Sequence, residues 1–278
     1  MTDRPAPRLS VWPTGQRGPL EQLRDTGCVP GTESDLERIP PAVAAHAIAT
    51  YSHPGDLVLD PDCGAGTVLI EALRAGRHTF GLTAHPRWWT LARANLTAAK
   101  TAGGHRDGSV LDGRPNALGT IRAAGLVGRV GLVLTALRTG PDRDTVGAAV
   151  AELARTFLLC EPLLRPGGHL VVVARPRRRP DGSLVDLTTS LIAAGTSAGL
   201  VPVDRCIALT AGLRASHVVT RASLAERRAT GGLTALTAHH EVLIFQLAHD
   251  AELAAEATAD IPWPTDNSVE HSGGRRAA

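Results

Sequence analysis

A chain of 278 residues with 43% hydrophobic content can bury a substantial core, which excludes disorder throughout. Its formal net charge of +2 is too small to signal nucleic-acid binding by itself, so any contact with a polyanion has to come from local clusters. Aromatic residues make up only 3%, which leaves Ala, Leu and Val to fill the interior, and every basic residue except Lys100 is arginine.

Cys28, Cys63, Cys160 and Cys206 are scattered without a Cys-x-x-Cys pair, which argues against a zinc site or a disulfide framework. The stretch from Met1 to Arg8 has no apolar run of signal-peptide type, and nothing approaches the ~20 apolar residues of a membrane span. The expectation is a soluble, cytoplasmic protein with reduced thiols, no metal and no membrane partner. The length fits one large domain with appendages. We divide it into an N-terminal arm over 1–38, an α/β domain over 39–248 and a disordered tail over 249–278.

The arm is rich in Pro, Gly and charge, and its Trp12 reads as an anchor tucked into the domain surface. Pro40 to Tyr51 reads as a helix opened by proline, and Ser52 to Asp56 turns the chain into a strand. That strand, Leu57-Val58-Leu59-Asp60, runs into Pro61-Asp62-Cys63-Gly64-Ala65-Gly66-Thr67 and then into the helical pattern Val68 to Leu73. Strand, glycine loop and helix start in direct succession form a nucleotide-binding unit, because glycine lets a ligand approach the backbone and a helix start offers free N–H groups. A dinucleotide fold would want a third glycine at position 69, which is Leu69, and a Gly-x-x-x-x-Gly-Lys phosphate loop is absent.

The loop resembles the D-P-x-C-G-x-G-T motif of S-adenosylmethionine-dependent amino-methyltransferases that act on DNA or RNA. The resemblance implies a Rossmann-like methyltransferase fold: a seven-stranded, mostly parallel sheet with one antiparallel strand and helices on both faces. It also implies S-adenosylmethionine as cofactor, held by Asp60, Pro61, Cys63, Gly64, Ala65, Gly66 and Thr67. In the family a His-Pro-x-Lys signature precedes this loop; the aligned residues here are Asp35, Leu36, Glu37 and Arg38, so the signature is missing. The arm of bacterial relatives closes over the active-site face, an alternative to the anchor reading of Trp12.

Thr79 to Thr83 reads as the second strand. Relatives place a carboxylate at its end to accept both ribose hydroxyls, and Thr83 stands there with a single hydroxyl, with His85 two residues on. Trp88 to Leu96 fits the R-W-x-x-L-A-x-x-N-L helix of such methylases, with both Trp88 and Trp89 expected in the core. Gly108 to Arg114 corresponds to the third strand, where Asp112 matches an Asp that accepts the adenine amine in relatives or serves only as a turn former.

Gly131 to Gly140 is the fourth strand, which in the family runs into Ser/Asp-Pro-Pro-Tyr. An exocyclic base amine is a poor nucleophile; the tetrad accepts its N–H bonds, aims its lone pair and stacks on the extruded base. Here the tetrad is Ala136-Leu137-Arg138-Thr139, which has no such acceptor, proline pair or ring, and Thr135 sits one residue early with its side chain on the other face. Amine methylation is therefore expected to be weakened or lost.

Thr145 to Leu164 reads as a helix, and Arg165-Pro166-Gly167-Gly168 as a turn into an apolar strand buried on both faces. Arg175, Arg177, Arg178 and Arg179 leave that strand at the ligand edge, either as a solvated loop or as phosphate contacts. Ser183 to Gly199 reads as a helix capped by Ser183, and Val201 to Leu209 and His239 to Gln246 as the last two strands, the final one antiparallel. Residues 210–238 between them read as a functional loop carrying Arg214 and Arg221. Two further readings stay open: a non-catalytic nucleic-acid-binding module that uses these arginines, and a small-molecule methyltransferase that needs no base-clamping tetrad.

Overall fold

A computed structural model of the chain describes residues 8–104, 106–119, 125–139, 146–179, 181–222, 224–229 and 235–259. Ten strands form one eight-stranded sheet and one small hairpin. The main-sheet strands are β1 (Val11–Trp12), β2 (Leu57–Asp60), β3 (His78–Thr83), β4 (Gly108–Asp112), β5 (Val130–Ala136), β6 (Leu164–Ala174), β7 (Leu200–Leu209) and β10 (His239–Leu247). The hairpin is β8 (Gly212–Arg214) with β9 (His217–Val219). The helices are α1 (Pro19–Thr26), α2 (Pro41–Tyr51), α3 (Thr67–Arg74), α4 (Pro86–Thr101), α5 (Val146–Cys160), α6 (Leu187–Ser197), α7 (Leu224–Ala229) and α8 (Ala248–Ala259).

The sheet order β1-β7-β10-β6-β5-β2-β3-β4 is that of a doubly wound Rossmann-like fold, with β10 antiparallel to both neighbours and every other pairing parallel. The sheet has eight strands rather than seven. The extra one is β1 in the arm, which adds to the outer edge of β7 and is only two residues long, too short to leave a periodic signal.

β6 alternates between two cores, as a strand buried on both faces must. Leu170 and Val172 pack with α5 and α6, whereas Val171 and Val173 pack with α2 and with Val68 and Ala72 of α3. Trp12 lies in the second core at 1% exposure, its indole N–H donating to the Leu9 carbonyl at 3.1 Å and its ring 4.5 Å from that of His46. Trp12 is thus an anchor.

Several local expectations change. Asp186, not Ser183, caps α6: its carboxylate accepts the Thr189 N–H at 3.0 Å, while Ser183 bonds Asp181. Trp88 and Trp89 are half-buried rather than core, each with an arginine over its ring, Arg87 and Arg93. The Arg-Pro-Gly-Gly segment is the irregular start of β6 rather than a separate turn. The 210–238 stretch holds β8, β9 and α7, and of the expected tail residues 249–259 lie in α8 while 260–278 fall outside the described residues. No helix among the described residues is long and apolar enough to cross a membrane.

Trp12→Ala removes a fully buried indole and the seam between arm and sheet. We expect a loss of about 3–5 kcal/mol in the urea unfolding free energy; a loss below about 1 kcal/mol contradicts the anchor role.

Candidate functional site

The strand order reverses between β2 and β5, and the crevice at their C-terminal ends is the ligand edge of such a sheet. The glycine loop occupies it. Gly64 (φ 50°) and Gly66 (φ 84°) are both left-handed, a conformation costly for a residue with a Cβ, and Gly66 directly precedes α3. The loop is tied down on several sides. Asn95 of α4 donates to the Ala65 carbonyl at 2.8 Å and to Thr32 at 2.9 Å, and accepts the Val29 N–H at 2.8 Å. Thr67 donates to the Ile39 carbonyl at 2.9 Å.

Asp60 is buried beneath the loop and accepts the Asp62 N–H at 3.2 Å. Desolvation, and then the nearby Asp62 charge, pushes its carboxyl up to about 8. Burial likewise pushes the Cys63 thiol up, with Asp60 and Asp62 adding to it, so Cys63 is a packed thiol and not a nucleophile.

The face of Gly64 is covered by protein. A Cβ placed there would lie 2.1 Å from an Asp35 carboxylate oxygen and 2.7 Å from two Arg138 guanidinium nitrogens. Asp35 accepts the Ala65 N–H at 3.0 Å with one oxygen and an Arg138 N–H at 2.7 Å with the other. The pair is buried, with side-chain exposures of 11% for Arg138 and 1% for Asp35, and Asp62 stands 4.0 Å from Arg138 on the far side. Burial works against the guanidinium charge, but Asp35 and Asp62 outweigh it and hold Arg138 protonated.

Thr139, at the end of the 136–139 tetrad, is likewise engaged with the arm. Glu37 accepts the Thr139 backbone N–H at 2.7 Å and its hydroxyl at 2.8 Å, and Arg177 donates to that hydroxyl and lies 3.4 Å from Glu37. Leu137 is buried in the core shared with α5. Thr135 faces away from the tetrad's Ala136, its buried hydroxyl without a partner among the described residues. Two small cavities flank Ala136, one beside Thr135 and Arg138 and one beside Arg175 and His240, each of about 10 Å³, room for about one water.

The opposite end of the crevice is different. Thr83 at the end of β3 is buried and sits across the ladder from Asp112 at the end of β4, whose side chain is exposed. His85 is exposed at the start of α4 and caps nothing with its side chain. Asp35 and Glu37 belong to the site, although the sequence marked them only as part of a missing signature.

The arginines expected at nucleic acid separate into two groups. Arg178 and Arg179 bond to Gly182, Ser183 and Leu184 within their own loop, and Arg221 donates to the Gly15 and Gln16 carbonyls, which fastens the arm. Arg175 and Arg214 are exposed, with no side-chain hydrogen bond or ion pair among the described residues. Among the described residues no group of three or more His, Cys, Asp or Glu side chains can hold a metal, and all four cysteines are free.

Residues 6–93 match the family model described as DNA methylase. The match spans the arm, the glycine loop and the first half of α4, and ends before the tetrad. Solved structures similar to the chain include TrmN from Thermus thermophilus, at 17% identity and a TM-score of 0.49, covering 81% of this chain and 53% of that one. Others are a geranyl diphosphate methyltransferase in complex with SAM, at 16% and 0.49 over 80% and 94% of the two chains, and precorrin-6y C5,15-methyltransferase from Geobacter metallireducens, at 12% and 0.49 over 77% and 91%. The chain thus spans about half the length of TrmN.

Two outcomes follow from this geometry. Asp35→Ala leaves the buried Arg138 charge without its nearest acceptor and is expected to cost about 3–5 kcal/mol in urea unfolding, while the Asp35→Ala/Arg138→Ala double variant loses less than the sum of the singles. Additive losses contradict the coupling. An unfolded chain releases the Asp60 proton near the ordinary value of about 4, whereas the folded protein keeps it until about 8. The folded state binds more protons between these values, so the Asp60 contribution lowers stability as pH rises from about 4 to about 8. Asp60→Asn should flatten that fall in the melting temperature; an unchanged slope speaks against a buried, protonated carboxyl.

Proposed function

We propose that this chain is an S-adenosylmethionine-binding protein of the DNA or RNA amino-methyltransferase type in which base methylation is weakened or lost. The observation that carries the reading is the Arg138–Asp35 pair: a glycine-loop crevice of the methyltransferase kind whose catalytic position supplies a side chain that lies back over Gly64.

The residues fit the adenosyl part of the cofactor. Gly64 and Gly66 carry no side chain to block a nucleoside, although Asp35 and Arg138 now lie over the first and Ala92 over the second, and the ends of β3 and β4 bring Thr83 and Asp112 together. When bound, the cofactor supplies an electrophilic methyl on a sulfonium. The chain's own part is to hold the nucleoside: Asp112 offers a carboxylate to the adenine side, and Thr83 offers one hydroxyl where two ribose hydroxyls seek acceptors. Arg138 and Asp35 stand on the methionyl side. Loading requires the guanidinium to leave Gly64, and the free energy of breaking that buried pair is subtracted from the affinity.

The tetrad supports the second half of the reading. Ala136 and Leu137 present no side-chain acceptor for an amine proton, and Thr139 spends its N–H and hydroxyl on Glu37. The unpartnered exposed arginines favour a second reading, a nucleic-acid-binding module that performs no transfer.

Calorimetric titration with S-adenosylmethionine, followed by labelled-methyl transfer to DNA, tRNA and a metabolite mixture, separates these. We expect weak binding by the native chain, binding tightened about tenfold by Arg138→Ala, and little or no transfer to nucleic acid. Transfer only to metabolites favours a small-molecule enzyme. No binding by either form overturns the cofactor assignment, whereas equal binding by both overturns only the role of Arg138.

A further inference from the structure

We propose that Arg38, Arg175 and Arg177, with His240 as the floor, form a binding site for a phosphate group at the ligand edge of the sheet. Four separate segments converge there. The arm brings Arg38, the end of β5 brings Ala136 and Leu137, the chain leaving β6 brings Arg175 and Arg177, and the start of the antiparallel β10 brings His240.

Two residues of this cavity's lining each carry a buried polar atom with no hydrogen-bond partner. The atoms are Nδ1 of His240, a residue 6% exposed, and Nε of Arg38. A buried polar atom without a partner costs on the order of 1–3 kcal/mol, so a pair of them around one cavity is a standing demand for a polar occupant. Burial, and then the charge of Arg175, pushes His240 down to about 3, which keeps the ring neutral and free to donate one hydrogen bond.

The charge balance names the sign of that occupant. Three guanidiniums face Glu37, whose carboxylate already serves Thr139 and Arg177. The Arg38 Nη1 donates to the Glu33 and Asp35 backbone carbonyls, which occupies that nitrogen without neutralising the guanidinium, and the Asp35 carboxylate is engaged by Arg138 and Ala65. Arg175 is exposed, with no ion pair or hydrogen bond from its side chain among the described residues. Crowding by surrounding protein atoms, and then the like charges of Arg38 and Arg177, lower its pKa against the opposing pull of Glu37 and Asp35. Planar guanidinium forks match the oxygens of phosphate.

The bland alternative is a solvated arginine loop. It describes Arg178 and Arg179, which bond along their own turn, and an exposed Arg175, but it leaves the buried unpartnered atoms of His240 and Arg38 unexplained. The enclosed space holds about one water, so the phosphate sits at the mouth between Arg175 and Arg177. The proposal leans on the reading above only for which sheet edge faces ligands, and its test needs no cofactor. The phosphate can belong to a nucleic-acid backbone or to a free phosphorylated small molecule.

The full chain is titrated with inorganic phosphate and a nucleoside monophosphate by calorimetry, and with short labelled DNA and RNA single strands by anisotropy. We compare Arg175→Ala/Arg177→Ala with a charge-matched control at the opposite sheet edge, Arg106→Ala/Arg129→Ala. We expect the first to lose at least tenfold in affinity for whichever phosphate binds, with the control within about twofold. If strands bind, the slope of log affinity against log salt falls by about 1.4 for two lost contacts. Binding of strands alone assigns the backbone as source, and binding of the monophosphate assigns a small molecule. Because Arg177 also ties Thr139, Arg175→Ala alone is the second variant, and it must lose affinity at an unchanged melting temperature. No binding of any probe at low millimolar concentration, equal losses in the two double variants, or full affinity in Arg175→Ala overturns the proposal.

Discussion

A single buried ion pair organises this molecule's ligand edge. Asp35 reaches from the arm with two acceptors, one taken by the Ala65 N–H of the glycine loop and one by Arg138 from the end of β5. Three segments far apart in sequence are thereby fixed to one another in a water-poor place. Removing Asp35 takes the nearest acceptor from a buried guanidinium, so the arrangement is held more firmly than an exposed pair could be.

The arm is not an appendage in this arrangement. β1 lengthens the sheet, Trp12 seals the core and Arg221 grips the arm from the far side of the sequence. Asn95 adds the central tie: wholly buried in α4, it bridges the glycine loop and the arm through its whole amide. A loop with two left-handed glycines would otherwise be free to wander; these bonds give it one shape.

The central fold was legible because its signals are local. An apolar strand, two glycines one residue apart and a helix start occupy one short stretch, and β6 announces burial on both faces by an unbroken apolar run. The site was legible only in part. Arg138 was recognisable as a departure from the tetrad, yet nothing in its neighbours states that it folds back on Asp35, 103 positions earlier. Asp35, Glu37 and Arg38 read as a lost signature, because a residue's type does not disclose which distant group will meet it. β1 was too short for periodicity, and the choice of Asp186 over Ser183 as cap depended on where the helix starts, not on which side chains can cap.

On the proposed reading Arg138 acts at two places: it stands where a base would be aimed, and it covers the Gly64 face where the cofactor would seat. On the reading proposed above, an adenosyl ligand and Arg138 compete for Gly64. A crystal structure of the full chain with S-adenosylhomocysteine tests this most directly. The account predicts the adenosine beside Thr83 and Asp112, with the Arg138 guanidinium swung away from Gly64 and Asp35. A ligand seated elsewhere, or one seated at the glycine loop with Arg138 still bonded to Asp35, contradicts it.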